Sequence, residues 1–168
     1  VAFAQQRVWF LDQLEPNSAF YNVAYAVRLR GMLDVAALER SLQQIVERHE
    51  VLRTTFQVVE GEPVQVIADH LTIPLALVDL TELPEGEREE EAKRRTNEEA
   101  RTPFDLQRGP LLRGQLLKLG EQEHVLLLNT HHIVTDRWSL GLMGQELATL
   151  YEGERLPELA IQYGDYAV

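Results

Sequence analysis

Residues 131–137 read His-His-Ile-Val-Thr-Asp-Arg. Two imidazoles and a carboxylate in one short run are groups suited to proton transfer, because an imidazole serves as base or acid near neutral pH. The apolar run Val125-Leu126-Leu127-Leu128 leads into this stretch, and an amphipathic helix pattern begins near Trp138. A buried strand therefore delivers both histidines and Asp136 to a strand-to-helix turn. Successive strand residues point to opposite faces, so His131 and His132 are not expected to share a ligand. With no convincing third ligand beyond Asp136, that alternation counts against a metal site. The chain has no cysteine, which excludes disulfides, thiolate metal sites and a cysteine nucleophile. It has no nucleophile-elbow pattern either, so no acyl-enzyme intermediate is expected.

The elements that must hold this turn follow from periodicity. Residues 4–14 read as a short helix ended by Pro16 and Asn17. Residues 21–30 alternate, with Val23, Tyr25, Val27 and Leu29 on one face, and read as a strand. Asp34 caps a helix whose apolar stripe is Val35, Leu38, Leu42, Ile45 and Val46. Residues 54–59 and 63–67 read as a hairpin across Glu60-Gly61-Glu62, and 75–78 as a further short strand. In 85–101 the acids come first and the bases last, which suits the helix dipole and predicts a solvated surface helix. Residues 111–119 and 125–130 form two strands, and Leu140, Met143, Leu147 and Leu150 mark the last helix. The pattern predicts a two-layer α/β sandwich, with helices packed on a mixed, largely antiparallel sheet.

With 168 residues, 45% hydrophobic and 26% charged, there is room for one ordinary globular domain. No apolar run reaches membrane-spanning length, and Arg7 and Asp12 interrupt the apolar start, against a signal peptide. A net charge of −11 argues against broad nucleic-acid binding. The lack of cysteine fits a cytoplasmic protein.

The run at 131–137 resembles the His-His-x-x-x-Asp-Gly signature of condensation domains in non-ribosomal peptide synthetases, which belong to the chloramphenicol acetyltransferase superfamily. The departure is Arg137 in place of the signature's glycine. Three other stretches recur in the family's order: Ala4-Gln5-Gln6-Arg7-Val8-Trp9-Phe10-Leu11, then Arg48-His49-Glu50-Val51-Leu52-Arg53-Thr54-Thr55-Phe56, and finally Tyr163-Gly164-Asp165-Tyr166-Ala167-Val168. The resemblance covers the whole chain but not a whole two-lobed condensation domain. It implies that residues 1–168 are the N-terminal lobe of one, with the C-terminal lobe absent and an acetyltransferase-like fold.

The activity implied by the resemblance is peptide-bond formation between a donor acyl thioester and an acceptor aminoacyl group. Both would be carried on 4′-phosphopantetheine arms of partner carrier domains, with no cofactor bound by this chain and an adenylation domain nearby. The second histidine, His132, would face the active-site channel as general base, as a group positioning the amine, or as a stabiliser of the tetrahedral species. His131 would point inward and be structural. Asp136 would form a buried salt bridge with an arginine of the second motif, Arg48 first and Arg53 second. Arg137 is a candidate for the substrate channel. It is open to several readings: partial filling of the channel, contact with a carrier phosphate, pairing with Asp136, a subtype that also dehydrates its aminoacyl substrate, or lost activity. Trp9, Phe10 and Leu11 are expected in the core, and Tyr163, Asp165 and Tyr166 to tie this lobe to the second. Two other classes remain: a non-catalytic, condensation-like recruitment module, which typically lacks the active histidine, and a free-standing acetyltransferase. Against the latter stand the second and fourth motifs, which look like those of synthetases.

Overall fold

The computed structural model describes residues 1–163. The element order is α1 (Phe3–Leu14), β1 (Asn22–Arg30), α2 (Val35–Arg48), a 3₁₀ turn (Glu50–Arg53), β2 (Thr54–Val59), β3 (Glu62–Ile67), β4 (Leu75–Asp79), α3 (Glu85–Arg101), β5 (Leu112–Gly120), β6 (Glu123–His131) and α4 (Arg137–Tyr151). Four strands form one sheet in the order β1-β6-β5-β4, and β2 pairs with β3 in a separate hairpin. β6 runs antiparallel to both β1 and β5, while β4 is parallel to β5. The expected mixed, largely antiparallel sheet with helices packed on it is what forms.

β6 is central, and His124 to His131 are all buried. A strand covered on both faces needs apolar side chains on both, which is why Val125 to Leu128 run without alternation. Leu126 and Leu128 pack with Leu112 and Leu116 against Leu38, Leu42 and Ile45 of α2 and Leu140, Met143 and Leu147 of α4. Val125 and Leu127 face the other way, with Leu117 and Leu119, onto Leu80, just after β4, and onto Ala92 of α3. Helices therefore clothe both faces of the sheet, so the layers are three where two were expected, because β6 is apolar on both faces.

The helix termini follow local chemistry. Asp34 caps α2 by accepting from the Ala37 N–H at 2.9 Å, one of the orphan amides of the first turn. α3 buries only Ala92 and carries Arg94 and Arg95 paired with Glu91, as a solvated helix should. Its last carbonyls are not left open, since Asn22 Nδ2 donates to Ala100 and Thr102 and Asn129 Nδ2 donates to Glu99. Of the residues expected in the core from α1, Trp9 and Leu11 are half-buried, but Phe10 is exposed. The buried positions of α1 are the polar Gln5 and Asp12, because that face of the helix meets the polar turn after β6. Of the fourth motif only Tyr163 is described; Asp165 and Tyr166 lie outside the described residues.

Leu116 is fully buried at the centre of the α2–α4 side. Leu116→Ala should cost about 3 kcal/mol, within the range for truncating a buried leucine. Urea unfolding of the chain checks this; a loss below about 1 kcal/mol would mean that the cavity collapses freely.

Candidate active site at the end of strand β6

β6 ends at His131, and the alternation of the strand separates the two histidines. His131 is on the side of Val125 and Leu127 and has no solvent exposure. Its ring packs edge-on to Phe104, with Tyr21 nearby. Nδ1 accepts the Ile133 N–H at 3.2 Å, so the hydrogen of the neutral ring sits on Nε2, 3.8 Å from Asp12 Oδ1. Burial, and then the neighbouring His132, push the His131 pKa down to about 4. Asp12 moves the other way, raised by burial and by Asp105. His131 is thus a neutral interior group at physiological pH, and it closes the turn.

His132 is exposed and lines a cavity of about 340 Å³. Its backbone N–H is held by the Tyr21 carbonyl at 2.8 Å. Its Nδ1 lies 2.7 Å from the Thr135 carbonyl oxygen. A carbonyl only accepts, so Nδ1 carries the hydrogen and Nε2 keeps a lone pair. Nε2 makes no hydrogen bond among the described residues. The arrangement is a tautomer fixed from behind and a basic nitrogen left available.

The turn itself is braced from α1. Gln5, 2% exposed, donates through Nε2 to the Ile133 carbonyl at 3.1 Å. Its Oε1 takes Gln65 Nε2 from β3 and the Ala2 N–H. Thr130 and Thr135 share a hydroxyl hydrogen bond across the turn, and the His131 carbonyl accepts from the Val134 N–H at 3.0 Å. The first motif thus contributes Gln5, a role that composition and periodicity do not reveal; polar residues at the buried positions of α1, Gln5 and Asp12, are the signal for it.

The ion pair expected between Asp136 and Arg48 does not form. Asp136 is exposed and is the N-cap of α4, where Oδ1 accepts from the Ser139 N–H and hydroxyl, each at 2.7 Å. Those hydrogen bonds, the backbone one first, hold its pKa below the ordinary carboxylate value. Arg48 instead pairs with Glu146, Nε to Oε1 at 3.2 Å, and donates to the Pro157 carbonyl. Arg53 is committed to the carbonyls of Ala68 and Glu47. The reason is position along α4: Glu146 lies about 15 Å down the helix axis from Asp136 at about 1.5 Å per residue, and the end of α2 packs beside that lower part. Glu146 is 7% exposed and also takes His49 Nε2 on its other oxygen at 2.6 Å. The second motif and α4 are therefore joined by a buried carboxylate, but a different one from that expected. A charged residue three positions after Met143, inside the apolar stripe of α4, is the sequence signal for it.

Arg137 is the first residue of α4, is exposed, and does not line the cavity, whose wall passes from Asp136 to Ser139, Leu142 and Met143. It stands at the rim of this cavity. Its helical backbone needs no positive φ, so an arginine fits there without the strain that a glycine would relieve. No group of histidines, cysteines and carboxylates able to hold a metal occurs among the described residues, and no helix there is long and apolar enough to cross a membrane.

Removing each acid should separate the two roles. Asp136→Ala should lose about 1 kcal/mol, the usual worth of an N-cap. Glu146→Ala should lose about 3 kcal/mol or more, because Arg48 and His49 would be stranded. Urea unfolding of both variants gives the order, and a larger loss for Asp136→Ala would refute this assignment. His131 adds a pH signature. Its folded pKa of about 4 lies below its ordinary 6.5, so between those values the unfolded chain binds more protons and stability falls as pH drops. His131→Asn should flatten the stability curve between pH 6.5 and 4, measured by unfolding across that range.

Comparison with known proteins places this geometry. The family model described as "Condensation domain" matches residues 1–168. A linear gramicidin synthase chain of Brevibacillus parabrevis is 55% identical over 100% of this chain, which spans 3% of that protein. The solved first condensation domain of the calcium-dependent antibiotic synthetase, in complex with a substrate analogue, is 31% identical with a TM-score of 0.86. The match covers 99% of this chain and 41% of that one. The X-domain from teicoplanin biosynthesis is 36% identical with a TM-score of 0.86, covering 99% of this chain and 36% of that one. The chain thus spans a small part of its curated relatives and about two fifths of the solved domains it matches. Its four-stranded mixed sheet, its paired histidines at the end of β6 and the match along its full length agree: the chain belongs to the condensation domain family.

Proposed function

We propose that this chain is the N-terminal lobe of a condensation domain, forming an amide between a donor acyl thioester and an acceptor aminoacyl group. Both substrates arrive on phosphopantetheine arms of carrier domains, beside a second lobe and an adenylation domain in a larger cytoplasmic synthetase. The observation that carries the reading is His132, whose Nδ1 is fixed on the Thr135 carbonyl and whose Nε2 is unoccupied beside the cavity. A neutral Nε2 accepts a hydrogen from the attacking amine. The amine nitrogen bonds to the thioester carbonyl carbon, the carbon–sulfur bond breaks, and the proton held at Nε2 passes to the departing thiolate. No covalent enzyme intermediate is needed. The available imidazole speaks against a purely recruiting module. The span of about two fifths of the solved condensation domain supports the single-lobe reading, under which the isolated chain folds but does not condense.

His132→Ala in the two-lobed protein should lower turnover with loaded donor and acceptor carriers by roughly a hundred- to ten-thousand-fold, the usual worth of a general acid–base group. The protein should still fold, with a melting temperature lowered by only a few degrees, since the ring is exposed and the variant gives up one hydrogen bond, that to the Thr135 carbonyl. Undiminished condensation would reject the role of His132 and with it the acyl-transfer reading.

A further inference from the structure

A second imidazole lines the same cavity. His49 is the C-cap of α2, and its ring stands in the wall with Val51, Leu52 and Met143. Its Nε2 is 2.6 Å from Glu146 Oε2. A carboxylate only accepts, so Nε2 carries the hydrogen, and a neutral ring held this way presents Nδ1 as an acceptor. Nδ1 takes no hydrogen bond among the described residues. Arg48 already balances the Glu146 charge on the other oxygen, so the His49 contact is not needed to neutralise that carboxylate. What the contact does is fix the plane and tautomer of the ring, as the Thr135 carbonyl does for His132. Two imidazoles with fixed tautomers thus border one largely apolar cavity, each with a nitrogen unclaimed by the protein. The lining also holds Gln5, Thr135, Asp136, Ser139 and Tyr163; Gln5 Oε1, the Thr135 hydroxyl, Asp136 Oδ1 and the Ser139 hydroxyl are already engaged within the protein, which leaves the unengaged imidazole nitrogen as an open acceptor for a substrate N–H.

We infer that His49 is a substrate-binding residue whose Nδ1 accepts a hydrogen bond from a substrate N–H within the His132 cavity, while Glu146 positions the ring. This rests on the acyl-transfer reading for the identity of the substrate. Two kinds of N–H group have this chemistry, the α-amine of the acceptor aminoacyl group and the amides of the pantetheine arm. Two substitutions separate binding from scaffolding. His49→Gln keeps a polar group near the place of Nε2, within reach of Glu146, and offers nothing at Nδ1. His49→Asn places an amide near Nδ1 and gives up Glu146.

The experiment uses the two-lobed protein and two acceptors, an aminoacyl pantetheine thioester and an aminoacyl ethanethiol thioester, which has no amide in its thiol arm. His49→Gln should raise the acceptor KM about tenfold with kcat within about twofold, and His49→Asn should recover most of that loss. A raised KM on both acceptors assigns the α-amine as donor; a raised KM on the pantetheine thioester alone assigns an arm amide. An unchanged KM on both, or full recovery by His49→Gln with loss in His49→Asn, overturns the proposal and leaves His49 as scaffold. Calorimetric binding of the unreactive aminoacyl pantetheine thioether reads His49 without turnover. A Kd raised about tenfold in His49→Gln and restored in His49→Asn supports it even if His132→Ala proves fully active and the acyl-transfer reading fails.

Discussion

Everything at this site depends on how a strand buried on both faces is brought to a stop. β6 has protein on each side up to its last residue, so the turn that follows emerges inside the molecule. Its backbone groups must find partners there, since an unpaired buried amide or carbonyl costs about 1–3 kcal/mol. The partners are specific: Gln5 for the Ile133 carbonyl, His131 Nδ1 for the Ile133 N–H, His132 Nδ1 for the Thr135 carbonyl. Both histidines are therefore part of the turn before they are part of any chemistry. Strand alternation decides which one is buried and which one faces the cavity, and the turn hydrogen bonds decide which nitrogen each ring has left. Fixing the tautomer through a backbone carbonyl leaves His132 Nε2 basic without placing a second charge beside it.

A second constraint shapes the opposite wall. Glu146 is a buried carboxylate on the packed face of α4, and such a charge is tolerated only when partnered. Arg48 and His49 meet it from the end of α2, which ties the last turn of α2 to the middle of α4. The segment after α4 folds back onto the same place: Arg48 donates to the Pro157 carbonyl, and Gln162 bridges the Arg48 carbonyl and the Glu50 N–H. The second motif is thus a junction where α2, α4 and the segment after α4 converge beside the cavity.

What could be read from the sequence divides along the range of the interaction. The strands, the capped helix from Asp34, the hairpin at Glu60-Gly61-Glu62 and the opposed directions of His131 and His132 all follow from periodicity or from a neighbour a few residues away. The partner of Arg48 does not. Which acid it meets depends on where α2 crosses α4, and nothing in either helix alone encodes that crossing. Asp136 is the natural choice on family pattern, yet Ser139 lies three residues on and satisfies it locally through a capping interaction that the sequence does contain. Phe10 shows the limit of burial preference: an aromatic in a helix is expected inside, but the inward face of α1 is claimed by Gln5 and Asp12, which serve the turn, and Phe10 is turned out.

The same reasoning makes sense of Arg137. At the first position of α4 its backbone is helical, its side chain is exposed, and the cavity wall skips from Asp136 to Ser139. A cation at a helix N-terminus is unfavourable by a few tenths of a kcal/mol to about 1 kcal/mol, but Asp136 immediately before it supplies both the cap and a compensating negative charge. Arg137 is thus accommodated at the start of α4 and stays out of the wall beside His132. What it changes is the charge at the rim of the site, where a positive group on an otherwise acidic chain meets whatever approaches the cavity from outside.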